Sequence, residues 1–172
     1  MKKRAVKLHR YELEREKAVF GLGLIPEEGV PEIKISYTRT RKEFLGKITN
    51  SRDAADFIRR TFRAGSLELQ EHFITLYLNQ ANEILGYYNH TIGGINATIA
   101  DRRLILATAL ASASVGILVS HNHPSGNLTP SQADLDLTKR LKDGAKILDI
   151  QLLDHIIITK NGYYSFADEG VL

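Results

Sequence analysis

The chain has 172 residues, enough for one domain with a real core and short for two. At 43% hydrophobic and 25% charged residues it reads as a soluble globular domain, not as a disordered or membrane-spanning chain. It contains no cysteine, which excludes disulfides and thiolate metal ligands, leaves His, Asp, Glu and water as the only metal donors, and fits a cytoplasmic setting.

The formal net charge of +3 is unevenly spread. Met1–Lys17 carries seven basic residues against three acidic ones, a net +4, so the remainder sums to about −1. The basic character belongs to an N-terminal arm. Such an arm is able to contact nucleic acid, and its bland role is a solvated tail. No signal peptide is visible, because the basic start lacks a following long apolar core and small-residue cleavage site. Leu104–Ser120 is apolar but only 17 residues long and holds Thr108, Ser112 and Ser114. A spanning helix needs about 20 residues, so this stretch is expected to be a buried helix running into a buried strand, with no membrane contact.

Along the chain, residues 26–31 read as a loop, and Glu32–Thr40 alternates Ile33, Ile35 and Tyr37 with polar neighbours, as a strand does. That strand could pair with a second copy of the chain. Residues 1–48 are thus expected to be a partly flexible arm, loop and short strand, and residues 49–172 the folded domain. Asn50 and Ser51 can cap a helix carrying Ala54, Ala55, Phe57, Ile58 and Phe62 at helical spacing, with Gly65 beyond its end. Phe73–Leu78 is nearly all apolar and predicts a central strand covered on both faces. Asn79–Asn82 predicts a turn and Glu83–Tyr88 the second arm of a hairpin. The pair Gly93-Gly94 breaks the pattern as a turn, one that would also let backbone approach a peptide. Asp101 suits the cap of a helix over Arg102–Ala113, and Val115–Ser120 a buried strand. A long helix is expected over Pro130–Leu148, then a strand over Ile150–Thr159 and a last hairpin arm over Gly162–Phe166. Strands mixed with helices around one core give an α/β or α+β class.

The chemistry is concentrated in Ser120–Asp134, S-H-N-H-P-S-G-N-L-T-P-S-Q-A-D. Residues i and i+2 of extended backbone point the same way, so His121 and His123 can present two imidazoles to one point while Asn122 faces away. Thr129 suits the N-cap of the next helix, Pro130 its first position, and Gln132 completes a capping box. That places Asp134 near the end of the first turn, on a stripe with Leu137, Leu141, Ala145 and Leu148. A carboxylate on a buried stripe needs a partner, and a metal beside the two histidines supplies one. Two His and one carboxylate leave a fourth tetrahedral position open for water, the pattern of a catalytic zinc site. Ser131 lies one turn before Asp134, and its hydroxyl can face the same metal. The structural alternative keeps Asp134 as a helix-dipole partner and the histidines as loop hydrogen-bonders.

H-N-H-P-S-G followed by S-x-x-D, with ten residues between His123 and Asp134, resembles the JAMM motif of JAB/MPN metalloproteases. The runs ILVSHNHPSGNLTPSQADLDLTKRLK, LLDHIII and YYSFADEG resemble the RadC-like branch, over roughly Ser51–Leu172. The resemblance implies a JAB/MPN-like (cytidine-deaminase-like) mixed sheet flanked by helices. It implies zinc on His121, His123 and Asp134, Ser131 stabilising the tetrahedral intermediate, and a catalytic glutamate upstream, two residues before a Phe. That glutamate is Glu71, with Glu68 as the fallback. The reaction implied is hydrolysis of a peptide or isopeptide bond in a peptide or protein substrate.

The branch name implies an alternative DNA-repair role, in which the metal domain acts on or binds nucleic acid. Longer members carry an N-terminal helical module of helix-hairpin-helix character, whereas residues 1–48 here read as arm, loop and strand. A degenerate scaffold of the same fold would have no need of all five site residues. The string His121-Asn122-His123 is shared with HNH nucleases but lacks their ββα-metal context. In Asp154-His155 one residue is expected to support the site from behind. His72 and His90 are expected to be structural or exposed. The sequons at Asn89, Asn96 and Asn127 carry no meaning without secretion.

Overall fold

In a computed structural model the described residues are 45–62, 65–92 and 100–172. The basic arm, the loop at 26–31, the expected strand at Glu32–Thr40 and the Gly93-Gly94 turn lie outside them. Helix α1 spans Ser51–Arg59, and the side chain of Asn50 caps it by accepting from the amide of Asp53 at 2.9 Å. Strands β1 (His72–Leu78) and β2 (Ile84–Ile92) form the expected hairpin, with β2 longer than its sequence pattern suggested. Helix α2 covers Arg102–Ala111 under an Asp101 cap. It stops two residues earlier than expected, and Ala113 beyond it takes left-handed backbone with φ 51°.

Strand β3 runs over Gly116–Asn122, helix α3 over Gln132–Ile147, β4 over Gln151–Ile158 and β5 over Tyr163–Ser165. Sheet order is β2-β1-β3-β4-β5. All neighbours are antiparallel except β3 and β4, which are parallel and therefore need the crossover that α3 supplies. Every residue of β1 and β3 is buried, because both faces of the sheet are covered. On one face Ile74, Leu76, Leu118, Ile156 and Ile158 pack on Ala54, Ala55 and Ile58 of α1. On the other, Phe73, Tyr77, Ile117, Val119 and Leu152 pack on Ile105 and Ala109 of α2 and on Leu141 and Ala145 of α3. The expected α/β class with a mixed sheet between helices is what forms. Among the described residues, no helix is long and apolar enough to cross a membrane.

Two irregularities re-aim side chains. Ile117 pairs with Leu152 but Leu118 with Asp154, so Leu153 is an extra residue in β4. Beyond it the alternation is reversed, which turns His155 to the α3 face and Asp154 to the other. In β2, Thr91 pairs with Phe73 but Asn89 with Ile74, so His90 is extra and reaches the ring of Phe73 and the hydroxyl of Tyr77.

Candidate metal centre

The site sits where β3 ends and α3 begins. His121 still belongs to β3 and follows Ile117 and Val119 on the α3 face. His123 lies just past the strand, its amide donating to Ile158 O at 3.0 Å, so the ladder persists to this point. The two Nε2 atoms face each other at 2.9 Å, as the i, i+2 spacing requires. Behind His123 the chain turns back. The amide of Gly126 donates to His123 O at 3.0 Å, and Gly126 takes φ 81°, a conformation a side chain would strain. This return brings Asn127 O to 2.7 Å from His123 Nδ1. A carbonyl can only accept, so Nδ1 carries a proton, and in the neutral tautomer this leaves Nε2 as the bare nitrogen turned inward.

Asp134 arrives from α3. The helix is capped by Ser131, not by Thr129, and Pro130 stands before the cap instead of at the first helical position. The capping box closes between Ser131 and Asp134: Asp134 N donates to Ser131 Oγ at 3.2 Å, and Ser131 N to Asp134 Oδ2 at 2.7 Å. Thr129 is drawn off by Asn127, whose Oδ1 takes its amide at 2.9 Å, and Gln132 bonds Asp136 at 3.0 Å instead of closing a box. The corrected cap matters for the site. Oδ2 is held by Ser131 N and by Ser131 Oγ at 2.7 Å, which leaves Oδ1 3.2 Å from His121 Nε2. Asp134 Oδ2 lies 3.9 Å from His123 Nε2. Two hydrogen bonds from Ser131 stabilise the ionised Asp134 carboxyl against its partial burial.

His121, His123 and Asp134 can each offer one donor atom, and these atoms lie within 4.8 Å of one another. The group can hold a metal ion. A tetrahedral zinc with donors at about 2.0–2.1 Å sets them roughly 3.3–3.4 Å apart, and His121 Nε2 lies near that edge length from both His123 Nε2 at 2.9 Å and Asp134 Oδ1 at 3.2 Å.

The face behind the site is polar and full. His121 Nδ1 meets His155 Nε2 at 2.9 Å, and His155 Nδ1 meets Thr138 Oγ1 at 2.6 Å. His155 is wholly buried, stacked on Phe166 with centroids 4.5 Å apart, and burial holds its imidazole well below the usual range. So it is His155 that backs the site. Asp154 instead takes Ser165 Oγ at 2.6 Å and the amide of Ala167 at 3.0 Å, tying down the end of the chain. Phe73 is the floor, stacked on His121 at 6.3 Å. His72 is buried and His90 half-buried, its Nε2 on Tyr77 at 3.1 Å.

Glu71 is half-buried immediately before β1. Phe73 pairs with His121, so continuing that antiparallel register by two residues brings Glu71 level with His123. Asn122 holds this segment. It faces away from the histidines, and its side chain accepts from His72 N at 2.7 Å and donates to Gln70 O at 2.9 Å and Leu67 O at 2.7 Å. The residues flanking Glu71 are thus clamped by the residue between the two histidines. Glu68 is exposed and pairs with Lys160 at 3.0 Å. Sequence reasoning missed Thr138, Asn127 and the clamping role of Asn122. Thr138 alone had a signal, standing one helical turn after Asp134.

A family model described as RadC-like JAB domain matches residues 48–171. A UPF0758 protein of Flavobacterium johnsoniae is 44% identical over 74% of this chain and 54% of its own length. One of Aquifex aeolicus is 34% identical over 100% of this chain and 75% of its own length, and one of Enterococcus faecalis is 40% identical over 73% and 53%. The chain therefore spans about half to three quarters of these relatives. With the family model covering most of its length, the chain belongs to the RadC-like JAB domain family.

Proposed function

We propose that the chain is a zinc-dependent hydrolase of peptide or isopeptide bonds, with His121, His123 and Asp134 as metal ligands. The observation that carries this reading is the convergence of two imidazole nitrogens and one carboxylate oxygen within 4.8 Å, on a mostly covered face. Imidazole and carboxylate donors suit zinc, and three protein ligands leave one tetrahedral position for water or substrate. A bound zinc supplies Lewis acidity toward a carbonyl and acidifies water to a pKa of about 7.

The chain's own groups do the rest. Glu71, level with His123, takes the proton from water and returns it to the leaving amine. Ser131 Oγ–H swings from Asp134 Oδ2 to the developing oxyanion, and the cap survives because Ser131 N still holds Oδ2. Asp134 and the two Nε2 atoms stay fixed by the contacts behind them.

The test is hydrolysis of a panel of peptide and isopeptide-linked probes, with and without a chelator. Expected is cleavage abolished by the chelator and restored by zinc. Glu71→Gln should keep bound zinc and lose about 10²–10⁴-fold in turnover, the usual worth of a general base. Absence of chelator-sensitive cleavage across the panel overturns the reading, and a Glu71→Gln variant at wild-type rate overturns the base.

A further inference from the structure

We propose that Thr138 and His155 are positioning residues that dictate the tautomer of His121, so that its Nε2 is bare and turned toward the metal. The inference rests on the metal-site reading for its purpose, but its hydrogen-bond logic stands on the chain alone. Thr138 Oγ1 donates to Asp134 O, one turn back in α3, at 2.6 Å. A carbonyl carries no proton, so the single proton of the hydroxyl is spent there. Toward His155 Nδ1, at 2.6 Å, Thr138 then offers only a lone pair, and Nδ1 must carry the proton. His155 is fully buried between Phe73 and Phe166, where a charged ring would be desolvated, so it is neutral with one N–H. Its Nε2 is then an acceptor, and His121 Nδ1–H is the donor across 2.9 Å. That leaves His121 Nε2 without a proton.

The order of these donors decides what the site is. With the proton on Nε2, His121 would donate to His123 Nε2 at 2.9 Å or to Asp134 Oδ1 at 3.2 Å, and the three groups would satisfy one another without a cation. With the proton on Nδ1, and with His123 Nδ1 held by Asn127 O, three acceptors face one point. Asp134 acts twice: its carboxylate faces the imidazoles, and its main-chain carbonyl starts the relay that strips His121 Nε2. A single residue of α3 thereby couples the helix start, β4 and β3 in one chain of hydrogen bonds.

The experiment is long-range ¹H–¹⁵N spectroscopy of the histidine rings in the full chain, stripped of metal and held above the imidazole titration range, together with zinc affinity by chelator competition. In wild type, His121 and His155 should both show the Nδ1–H pattern. Thr138→Val keeps the shape and removes the oxygen. It should release His121 to Nε2–H or a mixture and weaken zinc binding by about 10–100-fold, the usual cost of losing an outer partner. Thr138→Ser should restore both, which a packing role would not predict. Wild-type His121 protonated at Nε2 overturns the proposal without need of any variant. So does a folded Thr138→Val protein with unchanged tautomer and affinity. If wild type shows Nδ1–H on His121 yet binds no zinc, the relay stands and the metal-site reading fails.

Discussion

The two faces of the sheet are built from the same strands and do different work. Toward α1 the side chains are Ile74, Leu76, Leu118, Ile156 and Ile158, an apolar layer closed by Ala54, Ala55 and Ile58. Toward α3 the apolar layer gives way, at the end of β3, to His121, His155 and Thr138, all buried and all hydrogen-bonded. The apolar layer of the first face stabilises by area and is indifferent to direction, with Asp154 and Asn122 hydrogen-bonded at its edges. The second depends on which atom carries each proton, because a buried polar group without a partner costs more than an apolar one. Stability and site chemistry should therefore be separable by mutation.

The largest effect should fall on the polar face and be read as metal. His121→Ala and Asp134→Ala should each lose the bound zinc of the wild type, about one per chain by elemental analysis, while remaining folded by circular dichroism. Retention of metal in either variant would dissolve the contrast. Leu76→Ala, wholly buried on the α1 face, should do the reverse. It should cost about 2–5 kcal/mol in denaturant unfolding, with zinc content per folded chain unchanged.

Asn122 sharpens the comparison because it spans both jobs. It sits between the histidines yet points to the α1 face, where it holds Leu67 O, Gln70 O and His72 N. Asn122→Ala should cost about 1–3 kcal/mol through groups left short of partners. Zinc should remain, and cleavage should fall as the segment around Glu71 loosens. A variant that loses zinc instead would place Asn122 with the ligands.

The smallest effect concerns His90, whose imidazole burial pulls down to about 4 from the usual 6.5. The folded form resists the proton that the unfolded chain accepts near 6.5. The stability this group supports is thus complete above pH 6.5 and lost as pH falls toward about 4. His90→Gln should flatten the stability profile between those values. An unchanged slope would show that His90 titrates freely.

Much of this was legible in the residues. The unbroken apolar run of β1, the Asn50 and Asp101 caps and the order of elements follow from local pattern and end signals. His121 and His123 converge because extended backbone leaves no other outcome for i and i+2. Asp134 falls within five residues of the cap whichever residue caps the helix, and the Ser131 cap sets it at the third helical position. The cap itself was misread. Thr129 and Ser131 are both good caps with a polar residue three places on, and the competition was settled by Asn127 drawing the amide of Thr129 away.

Motif and periodicity alone pointed to the family, to the pattern of strands and helices and to the three side chains that converge. They could not determine that His155 and not Asp154 turns to the site, because that depends on Leu153 being extra in the pairing of β4 with β3. Nor could it show that Thr138 reaches His155 from 17 residues away and His155 reaches His121 from 34. Periodicity is a property of a single segment, whereas register and proton direction exist only between segments. Both are fixed by the partner that a strand or a ring nitrogen meets in the folded chain.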